Sequence, residues 1–339
     1  MTTEQTVVPI IDISGFLDGT DLVTAPRSIL HAATTSGFFQ IVGHGIDKAQ
    51  IDACYSVATA LDALPREVKD TLRSPSGHPF RGMMTNYDLT GEVCSEGFTI
   101  SRFDNPAEAM SNGVAPEHAE YFADNVWPPV EDFHPVMTAW SARVRELGSQ
   151  MMRIFAVALD LPIDYFDKYT ELDASTSTIR LYPARHTPLE EVPTVIFDEH
   201  FDGGMLTMLH QRGTYEGLQV KTLEGEWFPV PVYEEAFVIN VGELMTRWTN
   251  GQWPATRHRV VASEDPEGYR HTLPTFYNVA VDTVVEPLPT VLDEDGPRFD
   301  PVTVYGWFRR HLKTTYQERT HTRVSAEAEA FVASLQDAP

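Results

Sequence analysis

The sequence predicts a mixed α/β protein with a mainly β core, a double-stranded β-helix (jelly roll, cupin-like) flanked by N-terminal and C-terminal helices. Three observations predict this fold. Short β-rich runs follow one another through residues 175–285, which is the spacing of an antiparallel sandwich or barrel. Helical periodicity precedes these runs, most clearly over residues 131–159. Two later segments, 302–315 and 324–336, are predicted to be closing helices.

The region before residue 130 alternates between strand and helix signals. Pro9–Ile13 predicts a short strand, and Phe38–Val42 predicts a second one. Residues 24–36 and 47–63 carry apolar side chains at helical spacing. Residues 72–128 are rich in Gly, Pro and Asn, so we expect loops and short strands there.

The strongest helix signal lies in the middle of the chain and ends before Pro162. Its apolar positions recur near a period of 3.6; they are Met137, Trp140, Val144, Leu147, Met151, Ile154 and Leu159. The β-rich runs that follow are 177–182, 205–210, 217–222, 227–231, 236–240, 258–262 and 272–281. A double-sheet jelly roll protects the edges of such strands and leaves an open mouth for a ligand.

We expect these parts to form one compact unit, because the helices need a sheet to pack against. Its parts are an N-terminal region (1–130), the long helix and connector (131–174), the jelly-roll core (175–285) and C-terminal helices (286–339).

The composition limits the classes of partner that the protein is expected to bind. The formal net charge is −24, and an acidic surface repels nucleic acid and anionic membranes. No run of 18 apolar residues and no secretory signal is present, and two cysteines cannot form a disulfide framework. We therefore expect a cytoplasmic protein, a monomer or weak homo-oligomer, that acts on a small molecule and binds neither nucleic acid nor membrane.

A possible metal site begins at His200-Phe201-Asp202, just before the apolar run 205–209. At a strand end, residues i and i+2 direct their side chains into the same cavity. A second pair with this spacing, His118-Ala119-Glu120, lies in a segment that favours exposed helix or loop. There i and i+2 do not face each other, so this pair is the weaker candidate.

Two further motifs complete the pattern. His258 precedes an apolar pair, 56 residues after Asp202, a separation that allows intervening strands to return the chain to the same mouth. Two imidazoles and one carboxylate form the facial triad of non-haem Fe(II) oxygenases. Arg270 and Thr272 share a strand face, on what we expect to be the strand next to His258. A buried guanidinium and a hydroxyl there would hold a carboxylate.

The order H-x-D, H-R-V, R-x-T strongly resembles the isopenicillin N synthase-like family of Fe(II)/2-oxoglutarate-dependent dioxygenases. The N-terminal stretches VPIIDISGF and SGFFQIVGHGID resemble the same family, and the resemblance covers roughly residues 8–285. It implies an enzyme of secondary metabolism that oxidises a small organic metabolite with O2, by hydroxylation, desaturation or cyclisation. The resemblance also implies that the cosubstrate, 2-oxoglutarate, is converted to succinate and CO2.

The resemblance also implies roles for individual residues. It implies that His200, Asp202 and His258 bind Fe(II), and that Arg270 and Thr272 bind 2-oxoglutarate. Tyr182 resembles a position that hydrogen-bonds the cosubstrate. Because its segment is shorter than the usual form, packing in the core or at the rim is the alternative. Phe201 departs from the small polar residue found in many members, and strand alternation would direct it away from the iron.

The walls of the substrate pocket are predicted from the loop 80–86, from Phe98 and Trp253, and from the helix around Phe308. The candidate substrate-binding residues are Arg81, Met83, Phe98, Trp253 and Phe308.

Other functions remain open at this point. Some members of the family are Fe(II)/O2 oxidases that use no 2-oxoglutarate, and they keep a similar R-x-S motif. A jelly roll could also hold Zn2+ or Mn2+ as a cupin-like isomerase or hydrolase. A non-catalytic binding module would be expected to lack one of the metal-binding residues, and none of the three is missing.

Overall fold

The computed structural model describes residues 7–78, 80–88, 91–183, 194–317, 322, 323, 326, 330, 331 and 333. Its α-helices are α1 (Ser14–Leu17), α2 (Thr24–Thr35), α3 (Lys48–Asp62), α4 (Arg66–Thr71), α5 (Pro106–Ser111), α6 (Phe133–Ala158), α7 (Asp167–Thr170), α8 (Glu243–Trp248) and α9 (Val304–Gln317). Two 3-10 helices span Pro116–Phe122 and Pro289–Val291.

The strands run through most of the chain. They are β1 (Ile10–Asp12), β2 (Phe38–Val42), β3 (Gly82–Asp88), β4 (Val93–Ser101), β5 (Thr176–Tyr182), β6 (Val195–His200), β7 (Leu206–Gly213), β8 (Leu218–Lys221), β9 (Trp227–Pro229), β10 (Phe237–Val241), β11 (His258–Val261), β12 (Arg270–Tyr277), β13 (Val284–Val285), β14 (Val302–Thr303) and β15 (Thr322–Arg323).

Two sheets face each other. The large sheet has the strand order β1-β2-β10-β7-β12-β5-β4-β3-β15, and the small sheet has the order β6-β11-β8-β9. Their inner side chains touch: Phe38 and Val238 of the large sheet pack with Val220 of the small one. Tyr182 likewise packs with Val260. This mainly β double sheet with flanking helices confirms the predicted jelly roll.

The outer face of the large sheet carries the main hydrophobic core, which α6 covers. Trp140 of α6 stacks on Phe237, with ring centroids 6.0 Å apart. Gly148 lets α6 approach β12 closely, because a Cβ there would lie 2.2 Å from the Tyr277 ring. Burying this face of α6 provides most of the stabilisation of the helix.

Three features differ from the sequence predictions. β6 was not predicted, because only three apolar residues precede Asp198, Glu199 and His200. β11 and β12 are not neighbours, since they belong to opposite sheets. The loops and short strands predicted over 72–128 include the long antiparallel pair β3 and β4.

The structure describes one of the two helices predicted at the C-terminus. α9 covers most of the predicted helix 302–315. The helix predicted over 324–336 lies largely outside the described residues. Within the ranges given above, no helix combines the length and apolar character needed to cross a bilayer.

Candidate metal centre and its cavity

The three predicted ligands meet at one end of the small sheet. His200 is the last residue of β6, His258 is the first residue of β11, and these two residues are paired in the ladder. Asp202 lies in the turn between β6 and β7. Its Oδ1 lies 3.7 Å from His200 Nε2 and 3.9 Å from His258 Nε2. One ligand atom from each residue lies within 4.8 Å of the others, which is close enough for a shared metal ion.

The reason for this convergence is not the predicted one. His200 and Asp202 do not share a strand, because β6 ends at His200. The turn carries Asp202 back over the strand end, and the pairing of β6 with β11 brings the second histidine. Phe201 is also in this turn. It lines the cavity, and its orientation away from the iron stays a prediction.

Backbone carbonyls set the orientation of both imidazoles. His200 Nδ1 lies 2.8 Å from the Asp198 carbonyl oxygen, and His258 Nδ1 lies 3.2 Å from that of Thr256. A carbonyl can only accept, so Nδ1 carries the proton in each ring. The unprotonated Nε2 atoms are then the ones that face Asp202 and can bind a metal.

Asp202 is held as a carboxylate. Its Oδ2 accepts hydrogen bonds from Thr207 Oγ1 at 2.5 Å and Asn240 Nδ2 at 2.8 Å. Burial alone would raise the pKa of Asp202, but the positive charge that His258 and His200 carry when protonated, together with these two hydrogen bonds, lowers the pKa below its ordinary value. The buried carboxylate is therefore charged and oriented before any metal binds.

Arg270 and Thr272 lie on the inner face of β12, in the opposite sheet from the two histidines. Both are buried. Arg270 Nη2 donates to Gln211 Oε1 at 3.0 Å, whereas Nε and Nη1 have no hydrogen-bond partner among the described residues. A buried guanidinium with two unused donors is costly unless a ligand pairs with it. This arrangement suits a carboxylate.

Glycines make room around this arginine. A Cβ on Gly213 would lie 2.9 Å from Arg270 Cα, and one on Gly217 would lie 3.3 Å from Arg270 Cδ. The ring of Tyr182 lies 5.0 Å from the Arg270 guanidinium carbon. Tyr182 is buried in the cluster between the sheets, so it contacts the arginine by its ring face. A hydrogen bond from its hydroxyl to a cosubstrate stays a prediction.

A cavity of about 580 Å3 extends from the candidate metal ligands to α9. Arg81 and Phe308 line it, and their role in binding substrate stays a prediction. Arg81 is buried and donates to the carbonyl oxygens of Tyr121, Ala123 and Phe80. Its guanidinium therefore stabilises the wall.

The other three predicted wall residues lie in the hydrophobic core and not on this cavity. Met83 belongs to the core cluster on the outer side of the large sheet. Phe98 packs edge-on against Phe133 of α6, and Trp253 packs in the same way against Phe155. Phe98 joins α6 to the large sheet, and Trp253 joins α6 to the segment between α8 and β11. The prediction that they bind substrate therefore does not agree with their positions.

Several cavity residues were missed by sequence reasoning. They include Thr176, Arg180, Phe197, Phe276, Asn278 and Tyr305. Thr176 and Arg180 could have been found, because they alternate with the core residues of β5. The weaker ligand pair, His118 and Glu120, lies in a 3-10 helix at the cavity rim. Among the described residues, only His200, Asp202 and His258 form a potential metal cluster.

Comparison with known proteins agrees with this geometry. Residues 174–279 match the 2OG-Fe(II) oxygenase superfamily, and residues 8–129 match the non-haem dioxygenase N-terminal family described for morphine synthesis. The chain is 28% identical to the 2-oxoglutarate-dependent dioxygenase thnC of Trichoderma harzianum over 285 residues. This alignment covers 82% of this chain and 86% of the relative. It is 29% identical to gibberellin 20 oxidase 1-B of Triticum aestivum, over 88% of this chain and 79% of the relative.

The fold has solved counterparts. A full-length protein of Neurospora crassa, solved in complex with alpha-KG and thymine, superposes with a TM-score of 0.79 at 24% identity, covering 93% of this chain and 99% of that one. JOX2 in complex with 2OG, Fe and JA superposes with a TM-score of 0.73 at 23% identity, covering 96% and 88%. At this identity the two structures support the fold alone.

Proposed function

Because the chain belongs to the isopenicillin N synthase-like family of Fe(II)/2-oxoglutarate-dependent dioxygenases, we propose that His200, Asp202 and His258 bind its Fe(II) and that Arg270 and Thr272 bind its 2-oxoglutarate. The enzyme uses O2 as the oxidant. We further propose that it hydroxylates, desaturates or cyclises a small organic metabolite.

The observation that carries the assignment of the metal ligands is the convergence of one carboxylate and two imidazoles. Their ligand atoms lie within 4.8 Å of one another, and each imidazole is fixed with Nε2 toward the shared space. Two histidines and one carboxylate on one side of an Fe(II) ion leave its other positions open for cosubstrate and O2. A Zn2+ or Mn2+ isomerase of the cupin type would not need the buried Arg270 and Thr272.

When bound, Fe(II) and 2-oxoglutarate supply the oxidising chemistry, in which the cosubstrate is converted to succinate and CO2. The chain's own residues bind and orient these two groups, and they exclude water from the site. Arg270 offers donors that have no partner among the described residues, and Thr272 offers a hydroxyl on the same strand face. Phe197 and Phe276 line the cavity, and such apolar walls keep water away from a reactive centre.

The substrate is a small molecule under this proposal. The cavity volume of about 580 Å3 falls in the range of sites that enclose a drug-sized ligand. Thymine and JA are bound by the structural neighbours. A cytoplasmic location agrees with Cys54 and Cys94, which are buried and form no disulfide. A role in secondary metabolism agrees with the match of residues 8–129 to a family described for morphine synthesis.

The test is anaerobic addition of Fe(II) and then 2-oxoglutarate to the metal-free protein. The expected result is a visible metal-to-ligand charge-transfer band, followed by succinate release in air. Asp202→Ala should lose both signals. Glu199→Ala is the matched control, because Glu199 is a nearby carboxylate that pairs with Lys221 and should leave both signals unchanged. A band that survives in Asp202→Ala would overturn the assignment of the ligands.

A further inference from the structure

One wall of the cavity contains a histidine whose protonation is fixed by its surroundings. His78 lies in the segment between α4 and β3 and lines the cavity. Its Nδ1 accepts a hydrogen bond from the backbone N–H of Phe80, and the two nitrogens are 3.1 Å apart. Because a ring nitrogen that accepts a hydrogen bond carries no proton, a neutral imidazole in this position has its proton on Nε2.

The ring of His78 is neutral. Burial of the imidazole lowers the pKa of His78 from 6.5 to about 3, and the nearby positive charge of Arg81 lowers it further in the same direction. The Arg81 guanidinium is itself held by the backbone carbonyls of Tyr121, Ala123 and Phe80. At neutral pH, His78 therefore presents an N–H donor that carries no charge.

Aromatic rings hold this imidazole in the wall. The ring centroid of Phe331 lies 5.0 Å from that of His78, and the centroid of Phe80 lies 6.3 Å from it. Both phenylalanines also line the cavity. Among the described residues, Nε2 of His78 has no hydrogen-bond partner. A donor in such apolar surroundings costs free energy until an acceptor meets it.

Neighbouring donors of the same wall are already used. The Tyr121 hydroxyl donates to the Ala174 carbonyl oxygen at 3.0 Å, and the Tyr305 hydroxyl donates to Glu120. These hydroxyls tie the wall together. His78 differs from them, because no described protein atom accepts its Nε2 proton.

A donor of this kind selects an acceptor on the ligand. Nε2–H can donate but cannot accept, so its partner must supply a lone pair. The uncharged ring does not offset the desolvation of a carboxylate. Glu120 and Asp124, which are exposed among the lining residues, and the net charge of −24 also repel an anion. A neutral carbonyl oxygen satisfies the donor without these costs.

From these observations we propose that His78 is a specificity-determining residue and that the substrate is a neutral ring compound whose carbonyl oxygen accepts a hydrogen bond from its Nε2. This inference rests on the proposed function, because the cavity is a substrate site only if the proposed metal centre is active. Phe80, Phe308 and Phe331 offer apolar surface to the ring. The hydrogen bond fixes the carbonyl at this wall, and the aromatic surface aligns the rest of the molecule.

The experiment compares three probes that differ at a single ring position: 4-chromanone, chroman and chroman-4-carboxylate. Binding is measured by calorimetry, without oxygen, to the protein loaded with Fe(II) and 2-oxoglutarate. The wild type should bind the ketone about fivefold more tightly than chroman, which is the contribution of one neutral hydrogen bond. It should also bind the ketone more tightly than the carboxylate.

Two variants of His78 separate the donor from the ring. His78→Phe keeps an aromatic ring and removes the donor, so it should bind the ketone and chroman equally. His78→Gln keeps an N–H donor on a flexible side chain, so it should retain part of the preference. The control is His134→Phe, since His134 is an exposed residue of α6 outside the cavity. This variant should keep the full preference.

A spectroscopic measurement distinguishes hydrogen bonding from a purely structural role of the ring. In protein with isotope-labelled histidine and with Zn2+ in place of Fe(II), nitrogen–proton correlations report which ring nitrogen carries the proton. The His78 signals are identified by their absence in His78→Phe. They should show the proton on Nε2 at neutral pH, and 4-chromanone should shift the Nε2 resonance whereas chroman should not. A proton on Nδ1 would contradict the proposal.

The binding data can also overturn it. Equal binding of the ketone and chroman by the wild type, binding of neither, or tighter binding of the carboxylate would each do so, as would a full preference in His78→Phe. The charge-transfer band should persist in His78→Phe, because no proposed ligand of Fe(II) or of 2-oxoglutarate is changed. Absence of the band in the wild type would instead contradict the proposed function, so the two failures are distinguishable.

Discussion

At the residue scale, the two carboxylate oxygens of Asp202 have different partners. Oδ2 is held by Thr207 and Asn240, whereas Oδ1 faces the Nε2 atoms of His200 and His258. The hydrogen bonds at Oδ2 select one rotamer of the carboxylate before metal binds. Residues that orient a ligand in this way contribute to metal affinity without touching the metal.

Asn240→Ala should therefore weaken Fe(II) binding by roughly tenfold, because Oδ2 keeps only the bond from Thr207 and the carboxylate can rotate. The measurement is an anaerobic Fe(II) titration of the metal-free protein. Asn112→Ala provides the control, since Asn112 is exposed at the end of α5 and its loss should not change the affinity. Equal iron affinity in Asn240→Ala and the wild type would contradict this role.

His210 predicts a pH dependence of stability. Its Nδ1 lies 2.9 Å from the Tyr55 hydroxyl and its Nε2 lies 2.9 Å from the Glu234 carbonyl, so the buried ring is neutral. Burial lowers the pKa of His210 from 6.5 to about 4. The unfolded chain therefore takes up a proton more readily than the folded one between these values. Stability is complete above about pH 6.5 and falls as the pH is lowered toward 4.

This contribution amounts to about 2 kcal/mol of unfolding free energy between pH 7.5 and pH 5. Urea unfolding of the wild type and of His210→Gln at both pH values measures it. The variant should be less stable at pH 7.5 but should lose about 2 kcal/mol less than the wild type on acidification. Equal losses in both proteins would show that His210 does not carry the effect.

The sequence could predict the three candidate metal ligands but not the residues that support them. His200, Asp202 and His258 stand in short motifs whose chemistry is informative by itself. Thr207 and Asn240 act together because the ladder between β7 and β10 places them opposite each other. That register depends on long-range pairing, which local patterns do not reveal. The same limit explains why Trp253 was predicted on the cavity and lies in the core.

At the element scale, α9 closes the cavity and contacts the turn that carries Asp202. Trp307 Nε1 donates to the Gly203 carbonyl at 2.8 Å. The His311 ring lies against Gly203, where a Cβ would approach it to 2.5 Å. Arg247 of α8 lies over the Trp307 ring at 4.5 Å. The position of α9 is thus tied to the turn that carries Asp202.

Trp307→Phe should loosen this attachment, because it removes the indole donor while keeping an aromatic ring. Hydrogen exchange of the amides in α9 should become faster, by roughly fivefold for the loss of one hydrogen bond worth about 1 kcal/mol. The exchange of α6 should not change. Tyr305→Phe serves as a comparison, since it removes the bond to Glu120 at the rim and leaves the bond to Gly203. Unchanged α9 exchange in Trp307→Phe would contradict the attachment.

Elements with strong periodicity were predictable, and their partners were not. α6 and β2 lie where their apolar patterns placed them. β6 was missed because its polar, acidic end hides a strand that is stabilised by pairing with β11. Strand order is decided by which faces bury together, and so β11 and β12 are on opposite sheets although they are consecutive in the chain.

At the scale of the whole molecule, the proposed ligands of iron and of 2-oxoglutarate come from different sheets. The small sheet supplies His200 and His258, and the large sheet supplies Arg270 and Thr272. Asp202 lies between them, since it is bound by Thr207 and Asn240 of the large sheet. A cosubstrate that binds the metal and Arg270 together would join the two sheets.

Binding of both ligands should therefore stabilise the fold more than the sum of each alone. At 2-oxoglutarate concentrations about a hundredfold above its dissociation constant, the added stability is roughly 2.7 kcal/mol, or about 5 °C in the midpoint of thermal unfolding. Anaerobic calorimetry with Fe(II), with 2-oxoglutarate and with both measures this. In Arg270→Gln, the increase due to Fe(II) should persist and the increase due to 2-oxoglutarate should largely disappear, because the bidentate donor is lost while the metal ligands are intact. If Arg270→Gln kept the full increase from 2-oxoglutarate, the cosubstrate would be held by the small sheet and the metal alone, and the large sheet would serve only as its wall.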